Sequence, residues 1–252
     1  MSPSPPAIEI RGLKKVYGKK AAVDGLDLVV PAGSFFGFLG PNGAGKTTTI
    51  RMLTGLIPAD SGSIRILGLG MPGAALEIKR RIGVVPDESI LFDRLTGAEF
   101  LEFAGRMYGL APPVAVQRSR ALLTLFELND VPRKLIAEYS KGMRKRLTMA
   151  SALIHHPELF LLDEPFEGVD AVGARLMKEI LLDQVSRGAT VFLTSHVLEV
   201  VERLCDRVAI IHEGRIVVEG DVAALRSGDE TLEDVFVRVV GAQGSFGGLD
   251  WL

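Results

Sequence analysis

Nine consecutive residues, Gly40-Pro41-Asn42-Gly43-Ala44-Gly45-Lys46-Thr47-Thr48, constrain this chain more than any other stretch. They follow the spacing G-x-x-x-x-G-K-[ST]. An apolar segment, Ser34 to Leu39, runs into them as a buried strand, and a helical pattern from Thr48 to Leu56 runs out. Glycine lets the backbone curl until its N–H groups point inward, towards phosphate oxygens. The helix behind the loop adds roughly half an elementary positive charge at its N-terminus. Lys46 is long enough to reach β- and γ-phosphates, and the Thr47 hydroxyl suits Mg²⁺. The unit specifies a nucleoside triphosphate and leaves open what the energy drives.

The chain has 252 residues, enough for one large α/β domain or two small ones, and 47% are apolar, so a sizeable core is expected. The net charge of −2 carries no basic excess that would suit nucleic acid. The lone cysteine, Cys205, cannot form an intrachain disulfide. It fits a reducing cytoplasm and reads as a small buried hydrophobe. No run of 18 or more uncharged apolar residues is present, so no membrane span is expected. Met1 to Pro6 has neither basic residues nor an apolar stretch; it reads as a loose extended arm, not a secretory signal. Gly241 to Leu252 reads as a glycine-rich tail in which Phe246, Trp251 and Leu252 could dock.

Strands are expected over Ala7–Val16, Ala22–Val30, Ser63–Leu67 and Ile82–Pro86. Thr96 and Glu99 have capping-box spacing and open a helix with Phe100, Phe103, Ala104, Met107 and Tyr108 along one face. That stripe reads mainly as core, and part of it could serve a partner. Pro112-Pro113 breaks this helix, and a second covers Val114 to Leu128. Strand and helix then alternate: Glu158–Leu162, Val172–Ser186, Thr190–Thr194, Leu198–Cys205. Val208–His212 and Arg215–Glu219 pair around Glu213-Gly214. This pattern predicts an α/β fold: a P-loop core with a mainly parallel sheet, an N-terminal antiparallel β portion and an inserted helical subdomain. We read one domain over residues 1–240, with its core at 7–90 and 155–228, the helical insertion at 91–154, and the tail at 241–252.

Further residues carry chemistry. Leu159 to Leu162 delivers two adjacent carboxylates, Asp163 and Glu164, to a sheet edge. Tyr139-Ser140-Lys141-Gly142-Met143 precedes a helix. Glu167-Gly168-Val169-Asp170 turns after the carboxylates, His196 follows Phe192-Leu193-Thr194-Ser195, and Tyr17 precedes Gly18. In this order and spacing they resemble the nucleotide-binding subunit of the ATP-binding cassette (ABC) family, along nearly the whole chain. The resemblance implies ATP and Mg²⁺ as ligands. Tyr17 stacks on adenine, or is an ordinary strand tyrosine. Asn42, Gly43, Ala44, Gly45, Lys46, Thr47 and Thr48 cradle the phosphates. Thr47 and Asp163 hold Mg²⁺, Glu164 polarises the attacking water and His196 contacts the γ-phosphate. Ser140 and Gly142 meet ATP bound to another subunit, although a serine here also suits a plain helix N-cap. Asp170 crosses the dimer interface. His155, His156 and His212 match no motif and read as structural or exposed.

Asp87 departs from the family, which usually places glutamine there. An aspartate keeps an oxygen ligand for Mg²⁺ and loses one carbon of reach and the amide donor. We carry Asp87 as a catalytic and metal candidate, with Glu88 as competitor and a solvated turn residue as the alternative. The resemblance further implies an ATPase working as a head-to-tail dimer, expected to be a homodimer. It also implies a separate transmembrane permease docked near Asp87–Phe92 and the helical insertion, and therefore a place at the cytoplasmic membrane face. The Tyr-Ser-Lys-Gly-Met form and Leu232–Phe236 resemble the exporter branch, which handles drugs, polysaccharides or lipids. Two rivals stand beside this reading. A soluble non-transport cassette would usually carry two cassettes or long coiled coils, and a non-hydrolysing ATP switch would not need Glu164.

Overall fold

The computed structural model describes residues 5–129, 134–226 and 230–241. Expectations for residues 1–4 and for the tail beyond Gly241 fall outside the described residues.

The chain begins with β1 (Ile8–Tyr17) and β2 (Lys20–Val30), antiparallel around a tight turn at Gly18-Lys19. β3 (Phe35–Leu39) follows and is buried along its length. After the glycine-rich loop comes α1 (Lys46–Leu53), then β4 (Ser61–Ile66), which lies antiparallel on β1, and the short β5 (Leu69–Gly70). These complete a four-stranded sheet in the order β2-β1-β4-β5. α2 (Ala75–Arg81) leads into β6 (Ile82–Val85). The α-helices α3 (Gly97–Met107), α4 (Pro112–Leu125) and α5 (Lys141–Leu153) come next, with a short 3-10 turn, Ile136–Glu138, before the last. Alternation then resumes with β7 (Leu159–Asp163), α6 (Ala171–Ser186), β8 (Thr190–Ser195) and α7 (Leu198–Leu204). β9 (Arg207–His212) and β10 (Arg215–Asp221) form the expected hairpin, followed by α8 (Val222–Leu225) and α9 (Leu232–Val240).

The second sheet runs β10-β9-β3-β8-β7-β6 and is parallel apart from β10. Its inner strands are apolar on both faces because both faces are covered. Phe36 and Phe38 of β3 enter one core, shared with the antiparallel sheet, while Phe35 and Leu39 enter the other, shared with the helices. β7 splits the same way, Leu159 and Leu161 against Phe160 and Leu162, as a period of two requires. Phe192 stacks on Phe36 at 5.9 Å between ring centroids, and burying such a side chain contributes about 1.5–3 kcal/mol. All the parallel strands therefore end at one edge, held from both sides.

Local signals explain the helices. The Thr96 hydroxyl accepts from the Glu99 N–H at 3.3 Å, and the Glu99 carboxylate accepts from the Thr96 N–H at 2.8 Å, the expected capping box of α3. These bonds hold the Glu99 carboxyl below the usual carboxylate range. Pro112-Pro113 opens α4 at its first positions instead of ending α3, because the missing N–H groups have no intrahelical partner there anyway. The stripe on α3 divides: Phe100 and Ala104 are buried in the core, while Phe103 and Met107 remain 44% and 72% exposed.

Candidate active site

β3 delivers the chain into the loop 40–45 and α1 takes it away, so the first-turn N–H groups of α1 face the C-terminal edge of the sheet. No side chain caps them and no acid sits in that first turn. Two glycines make the loop's path possible. A Cβ at Gly40 would lie 2.3 Å from the Ile211 carbonyl oxygen of β9. Gly45 has φ +115°, and a Cβ there would lie 2.4 Å from the Ala22 carbonyl oxygen of β2. The β9–β10 turn braces the loop from behind: the Gly214 N–H donates to the Ala44 carbonyl at 2.9 Å.

Lys46 is buried. Its Nζ donates to the carbonyl oxygens of Gly40 at 2.7 Å and Pro41 at 3.2 Å, and it has no ion-pair partner among the described residues. Burial pushes its pKa down; the charges of Glu164, Asp163 and Asp87 oppose that shift, which places these three acids around it. This buried ammonium is bonded directly only to carbonyls, with the three carboxylates beyond ion-pair distance, and a polyphosphate would supply a directly bonded anion.

The carboxylates arrive by strand register. β7 and β8 pair Asp163 with Thr194, and the Thr194 hydroxyl donates to Asp163 Oδ1 at 2.5 Å. The same hydroxyl accepts from the Glu164 N–H at 3.2 Å. Glu164 sits at φ +46°, a left-handed conformation that a non-glycine residue adopts only under constraint. Its Oε2 lies 3.0 Å from His196 Nδ1 and accepts from the His196 N–H at 3.3 Å. The Asp87 backbone is also pinned: buried Lys145, on α5, donates to the carbonyls of Asp87 at 2.6 Å and Pro86 at 3.1 Å.

One cavity of about 740 Å³ gathers Asn42, Gly43, Gly45, Lys46, Thr47, Thr48, Asp87, Asp163, Glu164 and His196. Ala44 lies in the same loop but faces a neighbouring hollow. Tyr17, Ser140, Gly142 and Asp170 do not line it. Tyr17 is about half exposed at the end of β1, with Lys15 Nζ 5.7 Å from its ring centroid. Ser140 is the N-cap of α5, accepting from the Met143 N–H at 3.2 Å. Asp170 is the N-cap of α6, accepting from the Gly173 N–H at 2.8 Å, a bond that keeps its carboxyl acidic. The cavity also takes in Ala22, Glu167, Ser195, Leu198 and Phe236, to which the sequence assigned no role in the site. Glu167 pairs with Lys141 at 2.8 Å. Cys205 is buried as expected, and burial pushes its thiol pKa far up.

The donor set suits Mg²⁺. Thr47 offers a hydroxyl, Asp163 keeps Oδ2 beside the oxygen bound to Thr194, and Asp87 adds a carboxylate; all are hard oxygens. No cluster of three or more His, Cys, Asp or Glu side chains forms a protein-only metal cage among the described residues.

A family model described as ABC transporter matches residues 23–167. The chain belongs to that family. Within the ABC transporter family it is similar to ATP-binding subunits. The Nod factor export ATP-binding protein I of Burkholderia lata is 41% identical over 218 residues, spanning 86% of this chain and 72% of that protein. The linearmycin resistance ATP-binding protein LnrL of Bacillus subtilis is 39% identical over 229 residues, 90% of this chain and 74% of that one. The daunorubicin/doxorubicin resistance ATP-binding protein DrrA of Streptomyces peucetius is 42% identical over 221 residues, 88% and 67% of the two chains. Among solved structures, an ATP-binding subunit of an ABC transporter superimposes with a TM-score of 0.87 at 30% identity, covering 92% of this chain and 99% of its own. A dimeric ATP-binding cassette bound to ADP and Pi superimposes with a TM-score of 0.79 at 22% identity, covering 88% and 100%, which supports the fold. The ABC fold implies a site for ATP and Mg²⁺ and an ATPase activity.

Proposed function

We propose that this chain is the ATP-hydrolysing subunit of an exporter, driving a separate transmembrane permease through ATP-dependent pairing of two cassettes. The observation that carries the reading is the buried Lys46 in its glycine cradle, bonded only to carbonyls and faced by Asp87, Asp163 and the Glu164–His196 pair.

Each residue has a part. Lys46 exchanges the Gly40 and Pro41 carbonyls for β- and γ-phosphate oxygens. Thr47, Asp163 and Asp87 would hold Mg²⁺, which when bound neutralises charge on the phosphates. Glu164 accepts a hydrogen bond from the attacking water and draws its proton, with Thr194 and His196 fixing the carboxylate's position. With Nδ1 turned to the Glu164 carboxylate, Nε2 is the ring nitrogen of His196 left for a phosphate contact.

Ser140 and Gly142 stand outside this cavity, so a second copy of the chain, head to tail, is the natural source of that contact. No helix among the described residues is long and apolar enough to cross a membrane. Ile90, Phe92, Phe103 and Met107 expose an apolar surface next to the segment after β6, which suits a permease and a peripheral place at the cytoplasmic membrane face. The names of the three relatives, one an export protein and two resistance proteins, support export over import.

Phosphate release by the wild-type chain, Glu164→Gln and Lys46→Ala tests the reading. Glu164→Gln should keep ATP binding and lose on the order of 10²–10³ in turnover. Lys46→Ala should lose both binding and turnover. Equal phosphate release by all three would refute the ATPase reading, and equal loss of binding in both variants would refute Glu164 as the base.

A further inference from the structure

α9 brings an aromatic residue to the wall of the nucleotide cavity, although it lies far along the chain from the motifs that define the site. Phe236 lines that cavity together with Leu198, as do His196 and Glu164. The matched family segment ends at residue 167, so neither Phe236 nor the helix carrying it is part of that match.

The helix is fixed in place. Thr231 and Asp234 form a reciprocal capping box at its start, and Leu232 and Val235 are fully buried in the larger core. Its first N–H, from Leu232, donates to Glu202 Oε2 at 3.2 Å, and the other oxygen of Glu202 pairs with Arg226 at 2.8 Å. Glu202 lies on α7. That short helix begins two residues after His196, at Leu198, and the turn before it is closed by the Val197 N–H donating to Ser195 Oγ at 3.0 Å. α9 thus holds α7, and α7 continues directly from the turn that presents His196 to Glu164.

We propose that Phe236 is a positioning residue for ATP hydrolysis, acting through His196. Its ring and Leu198 form an apolar wall that keeps the turn 195–197 in place, so that the imidazole stays on the Glu164 carboxylate. The inference rests on the ATPase reading above. Sub-ångström placement matters here because phosphoryl transfer relies on orientation more than on covalent chemistry. An apolar wall beside the carboxylate also limits the water that competes for its oxygens.

The test uses the full-length chain with Phe236→Ala, Phe236→Leu and Val237→Ala, the last on the exposed side of the same helix. Steady-state phosphate release should show kcat reduced about tenfold in Phe236→Ala, with KM for ATP within about twofold of wild type. Phe236→Leu should recover most of that loss, and Val237→Ala should match wild type. The imidazole resonance of His196, assigned among the four histidines by its disappearance in His196→Ala, should move in Phe236→Ala and stay in Val237→Ala. An unchanged kcat, a loss confined to KM, or an unmoved His196 resonance would overturn the proposal. Should Phe236→Ala fail to fold, Glu202→Gln, which loosens the attachment of α9 to α7, must give the same kcat-selective loss, and wild-type kinetics there would overturn it equally. Lys46→Ala separates the two levels: if it is inactive while Phe236→Ala is normal, only this proposal falls; if it is fully active, the ATPase reading falls.

Discussion

At the C-terminal edge of the parallel sheet, polar side chains turn inward and bind one another; on the helices between β6 and β7, apolar side chains turn outward. Thr194, Asp163, Glu164 and His196 form a chain of contacts closed within one molecule. Phe103 and Met107 are exposed on α3, and Ser140 at the start of α5 caps only its own helix. The first region is fixed before any ligand arrives, so substitutions there act on chemistry. The second exposes apolar side chains, so under the proposed function substitutions there should act on assembly. α5 joins the two, since Lys145 pins the backbone at Asp87.

The sharpest way to break this contrast is at Gly45. Its φ of +115°, and the Ala22 carbonyl oxygen only 2.4 Å from where an added methyl would sit, leave no room for alanine. Gly45→Ala should weaken ATP binding by about 10²-fold or more, with strain on the order of 1–3 kcal/mol read from the thermal melt. Wild-type affinity in that variant would mean the cradle is pliable. Next comes Thr194→Val, which removes one donor and one acceptor from the carboxylate pair while keeping shape. Phosphate release should fall about tenfold and stability by about 1–3 kcal/mol, measured by turnover and denaturant titration. In the other region, Phe103→Ser with Met107→Ser should leave the chain's own phosphate release within about twofold, while co-purification with the proposed permease is lost; a turnover defect would erase the distinction.

The smallest effect concerns the joint between the regions. His155 stacks on Tyr108, just past α3, at 3.6 Å between centroids, and its Nε2 bonds the Ile82 carbonyl of β6 at 3.0 Å. Its Nδ1 is buried without a partner, and burial pulls its pKa from 6.5 to about 4. The unfolded chain therefore takes up this proton at higher pH than the folded one. The contribution to stability is complete above about 6.5 and is lost as pH falls towards 4. Melting temperatures between about pH 7.5 and pH 5 should drop in the wild type, and the drop should be shallower in His155→Phe.

Local chemistry was legible in the sequence and closure was not. The phosphate loop, the Thr96–Glu99 box and the β9–β10 turn are each specified within a few residues, so they could be read in isolation. Thr194 was visible only as a neighbour of His196, because its bond to Asp163 depends on the register of two strands far apart in the chain. Phe103 and Met107 carry the period of a buried face, and periodicity does not say whether the same chain supplies the cover. Leu232–Phe236 stood out only as a run resembling the exporter branch; the position of Phe236 in the cavity wall was not legible, since packing against α7 places it there. Short α2 left no periodic signal to find.

The brace behind the phosphate loop has a consequence for how the protein is made. Gly214 holds the Ala44 carbonyl, and Arg215 next to it pairs with Asp24, 191 residues earlier. Synthesis runs from the N-terminus at about 5–20 residues per second, so the loop leaves the ribosome well before its support exists. A nascent chain halted before Gly214 carries every residue of the glycine motif and still lacks this strut, so the loop gains its full support only late in the life of the new chain.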